Sequence, residues 1–167
     1  YRFDVEKVMF SQGNREEKRR VASLVTPGER VGDMFAGIGY FSLGMAGAGA
    51  DVHAMEINPV SCRYLHLNVI SNKLEDRVRI SPGDCRISIS GIYDRIHMGH
   101  YDAVDFLADA LKHVRDGTWL HVHMLGDRTG EIDDIVRSSG YDAVITLVRV
   151  KKAGPRVWHQ VADVVIR

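Results

Sequence analysis

This chain is short of most features that would assign a protein at a glance, and each shortage excludes something. It has 2 cysteines, Cys62 and Cys85. Two thiols cannot build a metal cluster alone and do not suggest a disulfide framework, so the expected setting is a reducing cytoplasm. No apolar stretch approaches the roughly 20 residues that span a bilayer, so no membrane helix is expected. Net charge is zero, with 22 basic residues against 22 acidic ones. A globally positive field that gathers nucleic acid is therefore missing. With 4 prolines in 167 residues, no low-complexity linker or repeat divides the chain. Hydrophobic residues make up 45%, enough for a substantial core in one domain.

What is present begins with Val31-Gly-Asp33-Met-Phe35-Ala-Gly37-Ile-Gly39-Tyr-Phe41, followed by Met55-Glu56-Ile57-Asn58-Pro59. The first run reads as strand, glycine turn and helix, and the second as the acidic end of another strand. Glycines let backbone approach a ligand with no Cβ in the way, and an acid after the second strand accepts hydrogen bonds from ribose hydroxyls. The dinucleotide fingerprint needs a third glycine where Ser42 stands. The pattern therefore favours S-adenosylmethionine over NAD.

Strands and helices alternate along the rest. Asn14 with Glu17 has capping-box spacing for a basic helix running to about Val25. Strands are predicted over Arg30–Met34, Asp51–Met55, Val78–Ser81, Tyr93–Met98 and Thr118–Leu125. Helices are predicted from Ile38 to about Ala48, from Pro59 to about Ser71, and through Ile132, Ile135 and Val136. Val104, Leu107, Leu111 and Val114 fall on one helical face. Ala143–Val150 and Val157–Ile166 pair as a hairpin turning at Pro155. The expected fold is α/β, a doubly wound and mostly parallel seven-stranded sheet with a reversed C-terminal hairpin. Residues 1–27 form a leading segment with the basic helix, and residues 28–167 form the cofactor-binding catalytic domain.

In such a sheet, ligands bind beyond the carboxyl ends of the strands. The loops there carry Asp33, Phe35, Gly37 and Gly39, then Glu56 and Ile57, then Asp84 and Cys85, then Met98, Gly99, His100 and Tyr101. Asp84 suits the adenine amino group as an acceptor, although its place after Pro82-Gly83 also fits a plain turn or cap. His121-x-His123 shares one strand face, but no third ligand lies nearby, so hydrogen-bonded strand histidines are expected and no metal. Arg15 lies on the basic helix, beside intrahelical acids. Lys151, Lys152 and Arg156 lie with Trp158 near the hairpin turn, where cations beside an aromatic suit phosphates and a stacked base.

Taken together, these segments resemble the archaeal and eukaryotic tRNA-modifying enzymes that act on the purine beside the anticodon, a group with the class I methyltransferase fold. One branch methylates guanine N1. The other, in the wybutosine pathway, moves the 3-amino-3-carboxypropyl group of S-adenosylmethionine to a carbon of a tricyclic modified guanine. Phe10-Ser-Gln-Gly-Asn14, Asp33 to Phe41, Glu56-Ile-Asn-Pro59, Asp94-Arg-Ile-His-Met-Gly99 and Pro155-Arg-Val-Trp-His159 look like the second branch. The resemblance implies cofactor contacts at Ser11, Lys18, Glu56, Asp84 and the Cys85 backbone, with Lys18 pairing the methionyl carboxylate. Gln12 stands where that branch has Arg, and Cys85 where it has a polar amide.

The two branches part after strand four. Base-nitrogen methylases commonly carry Asn-Pro-Pro or Asn-Leu-Pro there to hold the target nitrogen. This chain has Met98-Gly99-His100-Tyr101, with neither amide nor proline. The expected activity is therefore aminocarboxypropyl transfer to a tRNA by a monomer, with His100 and Tyr101 as candidate bases. The alternatives are guanine N1 methylation, a nucleoside-binding module without turnover, and a small-molecule methyltransferase. With zero net charge, much of the tRNA grip is expected from a region preceding Tyr1.

Overall fold

The structure, a computed structural model, describes residues 14–167. In chain order the elements are α1 (Arg15–Ser23), β1 (Arg30–Asp33), α2 (Ser42–Gly47), β2 (Asp51–Glu56), α3 (Pro59–Ser71), β3 (Val78–Pro82) and α4 (Cys85–Ser88), followed by β4 (Arg95–Met98), α5 (Leu107–Ala110), β5 (Trp119–Leu125), α6 (Thr129–Ser138), β6 (Ala143–Gly154) and β7 (Val157–Ile166). The seven strands form one sheet in the order β3-β2-β1-β4-β5-β7-β6. Neighbours from β3 to β5 are parallel, and β7 runs antiparallel to both β5 and β6. Strand order reverses between β1 and β4, the place where a doubly wound sheet opens a crevice for its ligand.

Two apolar layers hold the helices against the sheet. Val21 of α1, Met45 of α2 and Leu65 and Val69 of α3 pack with Val31 and Val52 on one face. Leu107, Leu111, Ile132 and Val136 pack with Ile96, Leu120 and Val164 on the other. Fully burying one such side chain is worth about 1.5–3 kcal/mol.

Three local expectations need correction. Asn14 makes no capping bond. Glu17, its would-be partner, is buried and accepts two bonds from the Arg20 guanidinium, at 2.7 and 2.8 Å. The helix expected from Ile38 begins at Ser42, because Gly37 and Gly39 adopt φ of +58° and +99° and hold the chain in turns. The helix expected over Val104 to Val114 is broken into 3₁₀ turns on either side of α5. Its apolar residues still face the core, a requirement that either helical winding meets.

One sheet face carries a row of buried polar groups that cross-strand register creates. Asp33 lies opposite His97, His97 opposite His121, and His121 opposite Asp163. Asp163 accepts from His121 Nδ1 at 2.6 Å and from Arg20 of α1 at 2.6 Å. Arg95 reaches His121 Nε2 at 2.7 Å and pairs with Glu29 at 2.8 Å. Arg20→Ala strands the buried Glu17 and leaves Asp163 with His121. Urea unfolding at neutral pH is expected to show a loss of roughly 2–3 kcal/mol, short of the cost for a wholly buried pair because Arg20 is part-exposed.

Candidate active site

A cavity of about 680 Å³ opens at the carboxyl ends of β1, β2, β3 and β4. Phe35 and Gly37 line it from the β1 end, Glu56 and Ile57 from β2, Asp84 and Cys85 from the loop after β3, and Gly99, His100 and Tyr101 from the loop after β4. Lys18 of α1 completes one side, and His123 and His159 lie at the floor.

Glu56 is held before any ligand arrives. One carboxylate oxygen accepts from the Gly37 N–H at 2.7 Å and the other from the Asn58 N–H at 2.7 Å. Asn58 then caps α3 through its own Oδ1, with Pro59 at the first helical position, where a missing donor costs nothing. A Cβ on Gly37 would sit 3.2 Å from the Tyr40 ring in a left-handed backbone conformation. The turn thus needs glycine, and it leaves a bare backbone edge facing the cavity. Ile57, 71% exposed, offers an apolar side chain at the mouth. Phe35 stacks on His100 with centroids 5.3 Å apart and meets Phe106 edge-on at 5.1 Å. A carboxylate at one end, an apolar and aromatic wall and a glycine edge fit a nucleoside.

At the adjoining wall, Asp84 caps α4 by accepting from Arg86 N at 2.9 Å. It also takes the Arg86 guanidinium at 2.5 Å. Hydrogen bonding from that side chain holds the carboxyl down at about 2. Burial pushes the Cys85 thiol up to about 11, helped by the Asp84 charge, so it stays protonated at neutral pH.

Residues 1–140 match the family described as the TRM5/TYW2 methyltransferase domain. The chain belongs to this family. It is 37% identical over 174 residues to a Pyrococcus horikoshii tRNA(Phe) (4-demethylwyosine(37)-C(7)) aminocarboxypropyltransferase, covering 98% of this chain and 63% of that relative. The chain therefore spans less than two thirds of that relative's length. Among solved structures, P. horikoshii TYW2 in complex with MeSAdo superposes with a TM-score of 0.93 at 35% identity, covering 99% of this chain and 67% of that one. Trm5b from Pyrococcus abyssi superposes at 0.90 with 31% identity, covering 98% and 52%.

Against this TRM5/TYW2 frame, several sequence-predicted residues lie elsewhere than expected. Asp33, Gly39 and Met98 do not line the cavity. Strand alternation turns Asp33 toward α2, where it accepts from the Ser42 hydroxyl at 2.6 Å. Met98 is wholly buried in the core, and Gly39 lies beneath Leu43 and Leu65. Ser11 lies outside the described residues. Lys18 does reach the cavity, with Nζ 4.6 Å from the centre of the Tyr40 ring. Burial, and then the charge of Lys151, lowers its pKa.

The basic residues of the hairpin flank Trp158, with Arg149 5.6 Å and Lys152 5.9 Å from its ring centre. Arg156 is exposed at the turn. Arg15 lines a separate cleft of about 360 Å³ between α1 and β6, shared with Glu17, Arg20 and Arg149. The histidines at the cavity floor were not singled out as site residues from sequence. His123, expected to be a hydrogen-bonded strand residue, lies 2.9 Å from His159. The available signal was polar alternation, Arg95-x-His97 beside His121-x-His123.

Proposed function

We propose that this chain transfers the 3-amino-3-carboxypropyl group from S-adenosylmethionine to a carbon of a tricyclic modified guanine beside the anticodon of tRNA-Phe. The observation that carries it is the loop after β4. Gly99, His100 and Tyr101 occupy the cavity wall there, with no amide or proline to hold a ring nitrogen before a methyl group. The name of the P. horikoshii relative supports the same chemistry.

A sulfonium is activated at three carbons, and placement decides which one reacts. Glu56 would receive the ribose hydroxyls, Asp84 the adenine edge, with Ile57 and Phe35 against the base. Lys18 would take the carboxylate of the amino-acid arm, a charge-assisted contact strengthened by burial. Aligning the arm against the acceptor carbon is the principal work, a proximity effect worth several kcal/mol. Arg15, Lys151, Lys152, Arg156 and Trp158 would carry the tRNA. Residues 28–167 would form the catalytic domain, with 1–27 leading into it. We take it to act in the cytoplasm as a monomer. Both cysteines are free and buried, and no helix among the described residues is long and apolar enough to cross a membrane.

Guanine N1 methylation is the second reading, favoured by the superposition on an M. jannaschii tRNA m1G37 methyltransferase at a TM-score of 0.89 and 28% identity. Cofactor labelled separately on the methyl and on the amino-acid arm decides between them, with tRNA carrying the tricyclic precursor. The arm label is expected on the tRNA, and the methyl label in released methylthioadenosine. Methyl label on the tRNA, with S-adenosylhomocysteine released, would refute the proposal.

A further inference from the structure

Three imidazoles run in series from the buried Asp33 to the cavity floor. His97 Nδ1 lies 3.3 Å from Asp33 Oδ1. His97 Nε2 lies 3.2 Å from His123 Nε2, and His123 Nδ1 lies 2.9 Å from His159 Nε2. Phe41 covers the middle of the series, 3.9 Å from the His97 ring and 5.3 Å from the His123 ring. The far nitrogen, His159 Nδ1, is buried and has no hydrogen-bond partner among the described residues.

Each of these contacts holds one proton, and the carboxylate fixes which nitrogen carries it. Asp33 accepts, so the His97 Nδ1–H donates to it and His97 Nε2 is left as an acceptor. His123 must then donate through Nε2, which leaves its Nδ1 to accept from the Nε2–H of His159. The series thus ends on an unprotonated His159 Nδ1. An unsatisfied buried acceptor is costly, and its retention at a cavity floor calls for an explanation.

We propose that His97, His123 and His159 form a proton wire, with His159 Nδ1 taking up the proton that the acceptor carbon releases. The inference rests on the transfer reaction proposed above. A bond forms between the ring carbon of the modified guanine and the terminal carbon of the amino-acid arm. The carbon–sulfur bond breaks, and its electron pair stays on the sulfur of methylthioadenosine. The ring proton then passes to His159 Nδ1, and its electron pair restores the aromatic ring. One proton shift along each of the next two contacts delivers the positive charge to His97, beside the Asp33 carboxylate. Tyr101, 39% exposed, packs edge-on to His159 at 5.0 Å. Reaching Nδ1 takes a turn of that side chain or one bridging water.

The charged and titratable groups facing His159 come from each neighbouring element. Lys151 lies on β6, Glu17 on α1, His123 on β5 and Tyr101 in the loop after β4. Burial first, then Lys151, lowers the His159 pKa to about 4, against the pull of Glu17. The base is therefore free at neutral pH.

Nitrogen-15 NMR of the histidine-labelled protein tests the wire without turnover. His159 is expected to carry its proton on Nε2. Asp33→Asn keeps an acceptor for Ser42 but presents an amide donor to His97, which reverses every tautomer and moves the His159 proton to Nδ1. An unchanged His159 tautomer in Asp33→Asn would overturn the wire. His159→Gln is expected to lower kcat for arm transfer by about 100-fold or more, with KM for the cofactor little changed. Its deuterium isotope effect at the acceptor carbon is expected to rise, because proton loss becomes rate-limiting. More than a tenth of wild-type kcat with no rise in the isotope effect would also overturn the proposal. Should His159→Gln fail to fold, the Asp33→Asn tautomer decides alone. Methyl transfer by the wild type would sink the reaction assignment and leave the tautomer result standing as a separate fact.

Discussion

Replacing Glu56 with alanine is expected to weaken cofactor binding by about 100-fold, roughly 2–3 kcal/mol. Two effects add. The carboxylate proposed to receive the ribose hydroxyls is gone. The Gly37 and Asn58 N–H groups, each at 2.7 Å from it, lose their shared acceptor, so the glycine turn and the start of α3 are no longer tied together. Glu56→Gln separates the two effects. Its carbonyl oxygen can keep one backbone bond, but its NH₂ cannot accept from a second donor, so its affinity is expected between the alanine variant and wild type. Calorimetric titration with S-adenosylmethionine and with methylthioadenosine measures both, with thermal unfolding as the control for folding. Affinity of the alanine variant within about threefold of wild type would remove Glu56 from the site.

Glu56 was legible because its signal is local. A strand, a glycine turn and an acid at a second strand end lie within one stretch of sequence. Backbone chemistry ties each to its neighbours, and Pro59 marked the start of α3 to the residue. The helix predicted over Val104 to Val114 failed for a different reason. An apolar stripe says which side faces the core, and both i→i+4 and i→i+3 winding satisfy it. Asp33, expected at the cofactor from its place in a motif, instead accepts from Ser42 of α2, on the sheet face that carries the histidines. That face was the least legible part. Arg95-x-His97 and His121-x-His123 show that each strand shares a polar side, but a single strand holds no information on register. The row Asp33, His97, His121, Asp163 exists because three separate strand pairings align it. Its last member depends on β7 inserting between β5 and β6. His159 comes from the same insertion, which brings a residue near the C-terminus to the floor of a cavity built largely from β1 to β4.

The buried histidines also set how the protein fails in acid, and this is the largest stability effect expected. Burial, then Arg79 and Arg30, lowers the His53 pKa to about 4. Burial and Lys151 lower that of His159 to about 4. Burial also lowers His121, and it lowers His123 well below the ordinary value. The folded pKa is depressed in each case, so the unfolded chain binds more protons below about pH 6.5, and stability falls with pH from there. Keeping one imidazole neutral down to about pH 4 is worth about 3 kcal/mol, so His53 and His159 together cost about 6 kcal/mol by that point. A domain's whole stability is about 5–15 kcal/mol. Asp163 behaves differently. Burial alone would raise its pKa, but the bonds from His121 and Arg20 bring it to about 2. Its contribution is lost as pH falls from about 4 toward 2, after the histidines have acted. Urea unfolding measured from pH 7.5 to 4.5 is therefore expected to show a steep decline, with two or more protons taken up per molecule near pH 5. His53→Gln, which keeps partners for Tyr93 and Ser81, should reduce that uptake by about one proton. Stability that is flat between pH 7 and pH 5 would mean that the unfolded chain gains no protons there, and that His53, His121, His123 and His159 are not held neutral.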